Sequence, residues 1–358
     1  MINVTQPFFP DKEKYKSYLE KIYDNRWLTN NGELVQSLQK QLESYLGVKN
    51  LLLVANGTMA LIVAYRLLEL QKDVLTTPFS FVATTSSLVW ENLNPVFSDI
   101  NVSTFNLDES NLEDRITEDT SAIVATHVFG NPCAVNELDE LAKKHSIKMI
   151  YDGAHAFGVK YKDSSVLNYG DVSILSFHAT KLFHTGEGGA LVINDDELFE
   201  KAKGMINFGF VKEDTITQLG INAKMNELEA AMGLCVLDDI DDIINAQKMI
   251  SDKYKHELAG LVGFQDYQQD SLGNFSYFPI VLESESQAME LKARLMRNSI
   301  RARRYFYPSL NKLPYLKNSR ACPNSEYLAS RILSLPVYHG LSEREQDEVI
   351  LHIKKHFV

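Results

Sequence analysis

Short apolar, β-branched runs alternate with amphipathic stretches along the first 240 residues, and this alternation restricts the fold more than any other feature of the chain. Leu51-Leu52-Leu53-Val54 is too short for a buried helix and reads as a strand; Asn56-Gly57 stops it, and Thr58 to Leu70 continues as a helix. Val74-Leu75-Thr76 leads into a helical Ser80 to Trp90 and then Pro95-Val96-Phe97. Ala122 to Ala125 leads, through Gly130-Asn131-Pro132, into a helix at Val135 to His145. Lys148 to Tyr151, Val172 to Leu175 and Ala190 to Ile193 read as further strands. Strands alternating with helices predict an α/β fold with a mainly parallel sheet covered on both faces. Past Asn226 the texture changes. Asn226 to Lys255 predicts one long helix bridging two parts. Phe275 to Leu282 then reads as a strand, Ser286 to Arg297 as a helix, Arg301 to Tyr307 as a strand and Glu343 to His356 as a closing helix. The expected division is a large domain over residues 1–240 and a smaller C-terminal α+β domain over 241–358. The N-terminal segment is expected to pack against the smaller one.

Composition removes several classes of function. Lys and Arg number 36 against 47 Asp and Glu, a net charge of −11, so the chain has no global field to collect a phosphate backbone and nucleic acid is not an expected partner. Cys133, Cys235 and Cys322 lie far apart, with no paired spacing for zinc or thiol redox work, and fit a reducing compartment. Met1 to Pro7 lacks the basic-then-apolar layout of a secretory signal. The longest apolar stretch, Leu51 to Leu70, is interrupted by Asn56, Gly57, Thr58, Arg66 and Glu69, which rules it out as a membrane span. A cytoplasmic chain is expected. His352 and His356 stand four apart on a helical pattern without a third ligand or acidic partner, so no metal site is expected.

Open parallel sheets gather ligands at the carboxyl ends of their strands, and three segments there carry unusual chemistry. In Ala55-Asn56-Gly57-Thr58 a strand ends and a helix begins; free N–H groups at that start can hold a phosphate, with Thr58 adding a hydroxyl, although a plain turn with a helix cap has the same residues. In Tyr151-Asp152-Gly153-Ala154-His155 a carboxylate directly follows a buried strand, which is costly unless something meets it. Asp152 suits a metal ligand, a salt-bridge partner, or the group that keeps a heterocyclic nitrogen protonated; His155 suits a site residue or an ordinary helix start. In Ser176-Phe177-His178-Ala179-Thr180-Lys181 a lysine closes a strand loop with apolar flanks. Desolvation lowers a lysine's pKa and leaves a nucleophilic amine, whereas a snorkelling surface lysine would stay charged. Gly186-Glu187-Gly188-Gly189 follows, a run that permits tight backbone passage but lacks the Gly-Lys-Ser/Thr ending of a nucleotide loop.

A nucleophilic lysine, an acid for a ring nitrogen and a phosphate cup together are what pyridoxal phosphate requires. Lys181 would join the cofactor's aldehyde carbon and Asp152 would hold the ring-nitrogen proton. The Gly57 and Thr58 amides with the Ser176 hydroxyl would take the phosphate. Phe81, in Pro78-Phe79-Ser80-Phe81-Val82, suits either a stack on the ring or the core.

Six ordered motifs then carry a resemblance across nearly the whole chain: Trp27-Leu28-Thr29-Asn30-Asn31-Gly32, Ala55 to Thr58, Asp152 to His155, Ser176 to Lys181 with Gly186 to Gly189, Gly220-Ile221-Asn222-Ala223-Lys224-Met225-Asn226-Glu227, and Cys322-Pro323 to Leu335-Pro336-Val337-Tyr338. The chain resembles the DegT/DnrJ/EryC1/StrS family of PLP-dependent sugar-nucleotide aminotransferases, with the aspartate-aminotransferase-like fold (PLP fold type I). The resemblance implies Lys181 as the Schiff-base lysine, Asp152 as the pyridinium aspartate, His155 as the ring-facing residue and Phe81 as the stacking aromatic. It implies phosphate contacts at Gly57, Thr58 and Ser176, with Asn222 reaching across from a second subunit, hence a homodimer with shared active sites. The segment Ser176 to Thr185 looks like the branch acting at C4 of dTDP-4-keto-6-deoxyglucose, with L-glutamate as donor and a surface polysaccharide (O-antigen) as destination. Thr29, Glu187, Tyr307 and Arg303 are the candidate substrate contacts, Arg303 within the basic cluster Arg301, Arg303 and Arg304, whose other reading is a solvated charge run. One departure is Tyr305-Phe306-Tyr307-Pro308-Ser309-Leu310-Asn311, which lacks the histidine of the family's Tyr-x-Pro-Leu-His. Related dehydratases replace the lysine by histidine, so Lys181 argues for transamination. A 3-aminotransferase, a dehydratase, or a non-catalytic PLP-binding regulator are the alternatives.

Overall fold

The buried runs of the first 200 residues pair into one sheet, in a computed structural model that describes residues 1–317 and 319–357. Its strands are β1 (Leu51–Val54), β2 (Asp73–Thr76), β3 (Asn94–Phe97), β4 (Thr120–Thr126), β5 (Lys148–Asp152), β6 (Val172–Ser176) and β7 (Gly189–Ile193). Their order across the sheet is β1-β7-β6-β5-β4-β2-β3. β7 runs antiparallel to both neighbours, and every other adjacent pair is parallel. Around the sheet run α1 (Lys12–Asn25), α2 (Glu33–Leu46), α3 (Gly57–Leu67), α4 (Val82–Trp90), α5 (Val135–His145), α6 (Asp196–Met205) and α7 (Glu227–Asp238).

The strands are apolar at successive positions because both faces are covered. Leu51 and Leu53 join one apolar cluster with α2, α5 and α7, through Leu38, Leu138 and Leu234; Leu52 and Val54 join another with α3, α4 and α6, through Leu61, Leu88 and Ala202. A third cluster forms around an antiparallel pair, β8 (Phe278–Val281) and β9 (Ile332–Leu335), with α8 (Ile240–Glu257), α9 (Glu285–Arg297) and α11 (Glu343–Lys354). Ile2 belongs to that cluster, and its backbone bonds to Ser299 and Arg301. Helix α10 (Pro323–Arg331) contributes Leu328 and Ala329 to an aromatic cluster with Phe79, Phe105, Phe129 and Phe306, which joins the two parts. Among the described residues no helix is long and apolar enough to cross a membrane.

Two expectations are corrected. The single helix expected from Asn226 to Lys255 is two, α7 and α8, broken at Asp239. Asp238, Asp239, Asp241 and Asp242, three and four residues apart, would repel one another inside one continuous helix. A fresh start at Ile240 places Asp241 and Asp242 in a first turn, where the N-terminal dipole stabilises them. The bridging is done by α8 alone, with Ile243 in the first cluster and Ile250 and Tyr254 in the third. Arg301 to Tyr307 is not a strand. It pairs only at Arg303, which exchanges backbone bonds with Ser334. Beyond that point the backbone turns, the Tyr305 N–H bonding back to the Arg303 carbonyl, and Phe306 is buried against Phe79 and Phe129.

Gly189 opens β7 directly beneath the start of α3: an added Cβ would lie 2.6 Å from the Asn56 carbonyl carbon and 2.7 Å from the Gly57 nitrogen. Both are backbone and cannot move aside cheaply. Gly189→Ala is therefore expected to lower the unfolding free energy by about 2–3 kcal/mol, read as a reduced urea midpoint with an unchanged slope.

Candidate active site

The carboxyl ends of β1, β2, β5 and β6 and the start of β7 open into one cavity of 590 Å³. Asp152 ends β5 between β4 and β6 and is only 4% exposed. Its Oδ2 accepts a hydrogen bond from Thr84 Oγ1 at 2.7 Å and its Oδ1 one from the Ala154 N–H at 3.1 Å. Thr84 spends its single proton on Asp152, so it accepts from Ser80 Oγ at 2.8 Å, which in turn accepts from Thr126 Oγ1 at 3.1 Å. Burial pushes the Asp152 carboxyl up, and Thr84, the Ala154 N–H and the nearby Lys181 hold it down.

Lys181 sits on the turn after β6, with its backbone N–H on the His178 carbonyl at 2.8 Å. Its Nζ donates to Tyr277 Oη at 3.2 Å. Burial pulls the amine down to about 8, against the opposing influence of Asp152 and Tyr305. His155 is buried, and its Nδ1 accepts the Phe129 N–H at 3.3 Å, which leaves Nε2 as the protonated nitrogen. Its ring stacks with Phe306 at 5.6 Å and Phe129 at 6.0 Å. Burial, with Lys181 adding to it, keeps the imidazole neutral.

The start of α3 forms the opposite wall. Asn56 Oδ1 caps the Met59 N–H at 2.9 Å. The Gly57 and Thr58 N–H groups have no acceptor among the described residues, and the helix dipole makes them an anion site. Gly57 has to be glycine, because a Cβ there would lie 2.8 Å from Ser176 Cβ. Phe81 precedes α4 and is 53% exposed in the cavity wall, so it is not a core residue. Glu187 also lines the cavity, its carboxylate 3.7 Å from His178 Nε2.

Of the residues singled out from the sequence, Gly57, Thr58, Phe81, Asp152, His155, Ser176, Lys181, Glu187 and Arg303 are brought together here. Thr29, Asn222 and Tyr307 are exposed and do not line the cavity of this chain. The basic cluster is split. Arg304 is held by Glu285 and by the carbonyls of Ala329 and Ser330, with its guanidinium over the Tyr307 ring, while Arg303 lies over the Tyr305 ring at 4.7 Å and lines the cavity. Thr84, Tyr277, Tyr305 and Phe306 were not anticipated. Thr84 lay in the helix expected beside Phe81, Tyr277 in the strand expected over Phe275 to Leu282, and Tyr305 and Phe306 in the segment that departs from the family pattern.

An open helix start, a pinned buried carboxylate and a desolvated amine around one cavity fit pyridoxal phosphate. At pH 7.5 a lysine at about 8 has roughly two hundred times the neutral fraction of an unperturbed one. Trapping of Lys181 in the cofactor-free protein by a small aldehyde and cyanoborohydride, read as a mass increase, is expected to quicken with pH up to a midpoint near 8 and then level off. A rate still climbing beyond about pH 10 would mark an ordinary solvated lysine. The unfolded chain holds the proton longer than the folded one, so the cofactor-free protein also gains stability as pH rises from about 8 towards 10.5.

Residues 10–354 match the DegT/DnrJ/EryC1/StrS aminotransferase family. The chain is 42% identical to a dTDP-4-amino-4,6-dideoxy-D-glucose transaminase of Shigella dysenteriae, over 99% of this chain and 98% of that protein. It is 30% identical to a GDP-perosamine synthase of Escherichia coli O157:H7, over 96% and 95%. The crystal structure of DesI in the presence of its TDP-sugar product superposes with a TM-score of 0.94 at 30% identity, covering 99% of this chain and 92% of that one. With the strand order, the cavity at the strand ends and these similarities in agreement, the chain belongs to the DegT/DnrJ/EryC1/StrS family of PLP-dependent aminotransferases, on the PLP fold type I scaffold.

Proposed function

We propose that this aminotransferase moves the amino group of L-glutamate to C4 of dTDP-4-keto-6-deoxyglucose, releasing 2-oxoglutarate and the 4-amino-4,6-dideoxy sugar nucleotide. The observation that carries amino transfer is the desolvated amine of Lys181 sharing one cavity with the buried Asp152 carboxylate and the open start of α3. The dTDP-sugar assignment rests on full-length similarity to proteins named for that reaction.

Pyridoxal phosphate, when bound, supplies an aldehyde carbon that carries the amino group and a ring that accepts the electron pair left when a carbon loses its proton. Everything else falls to side chains. The Gly57 and Thr58 N–H groups and the Ser176 hydroxyl would hold the phosphate, and Asp152 would keep the ring nitrogen protonated, its own charge maintained by Thr84 and Ala154. Phe81 and His155 would flank the ring. Lys181 Nζ would take the α-proton of glutamate in the first half-reaction and deliver a proton to sugar C4 in the second. Arg303 would meet the donor carboxylate and then the sugar diphosphate, since among the cavity-lining residues it is the arginine. Thr29, Asn222 and Tyr307 would act from outside this chain's own cavity, as in a homodimer whose two sites draw on both chains. What supports that assembly is the exposure of Trp27, Leu28, Phe208, Ile221 and Leu228 on the adjoining segments. Synthesis of a surface-polysaccharide amino sugar in the cytoplasm completes the proposal.

The test is product analysis over dTDP-, UDP- and GDP-linked keto sugars. One mole of 2-oxoglutarate per mole of amino sugar and parallel double-reciprocal lines are expected, with the dTDP sugar preferred; intersecting lines or a dehydrated product would overturn the proposal. Lys181→Ala is expected to abolish turnover. Arg303→Ala is expected to raise KM for both substrates by about tenfold to a hundredfold, the worth of a charged hydrogen bond, with a smaller change in kcat.

A further inference from the structure

Tyr277 has no place in the assignments above, yet among the described residues its hydroxyl is the one hydrogen-bond partner of Lys181 Nζ. It stands just before β8, on the far part of the chain, and the contact spans 96 residues. Its position is held from several sides. Asn274, 3% exposed, donates both amide protons to the carbonyls of His155 and Phe157 at 2.9 Å, while its Oδ1 accepts from the Ser276 N–H and hydroxyl. The amide thereby ties the 274–277 segment to the loop that carries His155. The Tyr277 ring packs 4.8 Å from the His155 ring, 5.2 Å from Phe129 and 6.1 Å from Tyr305. A phenol fixed this tightly defines a point in space for whatever it bonds.

What it bonds is an amine with no carboxylate partner. The Asp152 oxygens accept from Thr84 and from the Ala154 N–H, and neither is hydrogen-bonded to Lys181. The distinction has a chemical consequence. A carboxylate bonded to Nζ would favour the ammonium form, which can neither attack a carbon nor accept a proton. A phenol orients the amine without adding charge. Burial drives the Tyr277 hydroxyl well above its ordinary value, so it stays neutral while Lys181 changes state.

We propose that Tyr277 is the positioning residue of Lys181: its hydroxyl holds the ε-amine in place while that amine is free of the cofactor, so that proton transfer starts from a fixed geometry. This rests on Lys181 being the reacting amine. The distance and orientation of a proton acceptor govern transfer steeply. The phenol itself gives up no proton and forms no bond to substrate. It therefore acts on the proton-transfer step and leaves the binding of glutamate and of cofactor phosphate alone.

Tyr277→Phe removes the oxygen and keeps the ring that packs against His155, Phe129 and Tyr305. Three readouts are taken beside the wild type: borohydride-trapped attachment of pyridoxal phosphate to the cofactor-free protein, by mass; the single-turnover rate with L-glutamate and with its α-deuterated form; and thermal unfolding. The expected result is slower covalent attachment reaching the same final stoichiometry, and a half-reaction slowed about tenfold or more, equivalent to about 1.4 kcal/mol. Glutamate affinity and melting temperature should be unchanged and the deuterium effect larger. Wild-type rates in the variant would overturn the proposal. So would a rate loss matched by weaker glutamate binding and a lower melting temperature, since that pattern marks a residue that merely supports the fold. Lys181→Ala separates the deeper failure: covalent attachment at an unchanged rate in that variant would remove Lys181 from the reaction and Tyr277 with it, whereas attachment lost there but indifferent to Tyr277→Phe would dismiss the phenol alone.

Discussion

A carboxylate and an amine are desolvated in the lining of one cavity, and the groups around them offset the cost of doing so. Asp152 stands at the end of a central strand with 4% exposure. Its charge is tolerable because donors are aimed at it: Thr84, whose own oxygen is fed by Ser80 and then Thr126, and the Ala154 N–H. Each hydroxyl has one proton to give, so the three align in one direction, towards the carboxylate. Lys181 answers the same constraint differently. It is bonded to a phenol and desolvated, and its pKa falls to about 8. Replacing Thr84 would leave a buried carboxylate short of a donor, a loss of about 1–3 kcal/mol.

The topology explains why these groups meet. In a parallel sheet all carboxyl ends lie on one edge, so the segments after β1, β5 and β6 are neighbours although more than a hundred residues separate the first from the last. The one antiparallel strand adds to this edge. Because β7 runs the other way, its start lies where β1 and β6 end; Gly189 pairs with Val54 on one side and Ser176 on the other. The glycine-rich run before β7 thus arrives at the cavity beneath α3, and only a glycine fits under the Asn56–Gly57 peptide.

The remaining wall comes from the far part of the chain, which is fastened to the sheet by specific polar contacts. Asp99 caps the start of α10 through the Asn324 and Ser325 N–H groups, and the Pro78 carbonyl accepts from the Leu310 N–H. Asn274 and Gln265 send their amides to carbonyls at 104, 128, 155 and 157. With Phe306 wedged between Phe79 and Phe129, these contacts deliver Tyr277, Arg303 and Tyr305 to the cavity.

What was legible beforehand was local. Four or five apolar residues bounded by turn residues read as a strand, a carboxylate directly after such a run is conspicuous, and so is a lysine that closes the loop beyond one between apolar flanks; Asp152 and Lys181 were identifiable on those grounds, as was the Asn56-Gly57-Thr58 helix start. The break at Asp239 was also local, written in four carboxylates, but apolar periodicity runs straight through it. The rest could only be decided in three dimensions. Tyr277 is an unremarkable aromatic next to a strand until folding brings it 3.2 Å from a lysine 96 positions away. Arg303 and Arg304 are indistinguishable neighbours until Glu285 and two helix-end carbonyls claim one of them. The sequence alone determined which residue types stand at the strand ends, because backbone geometry there depends on near neighbours. Only the tertiary structure decided which of them share a cavity, because hydrogen bonding and desolvation depend on atoms contributed by distant parts of the chain.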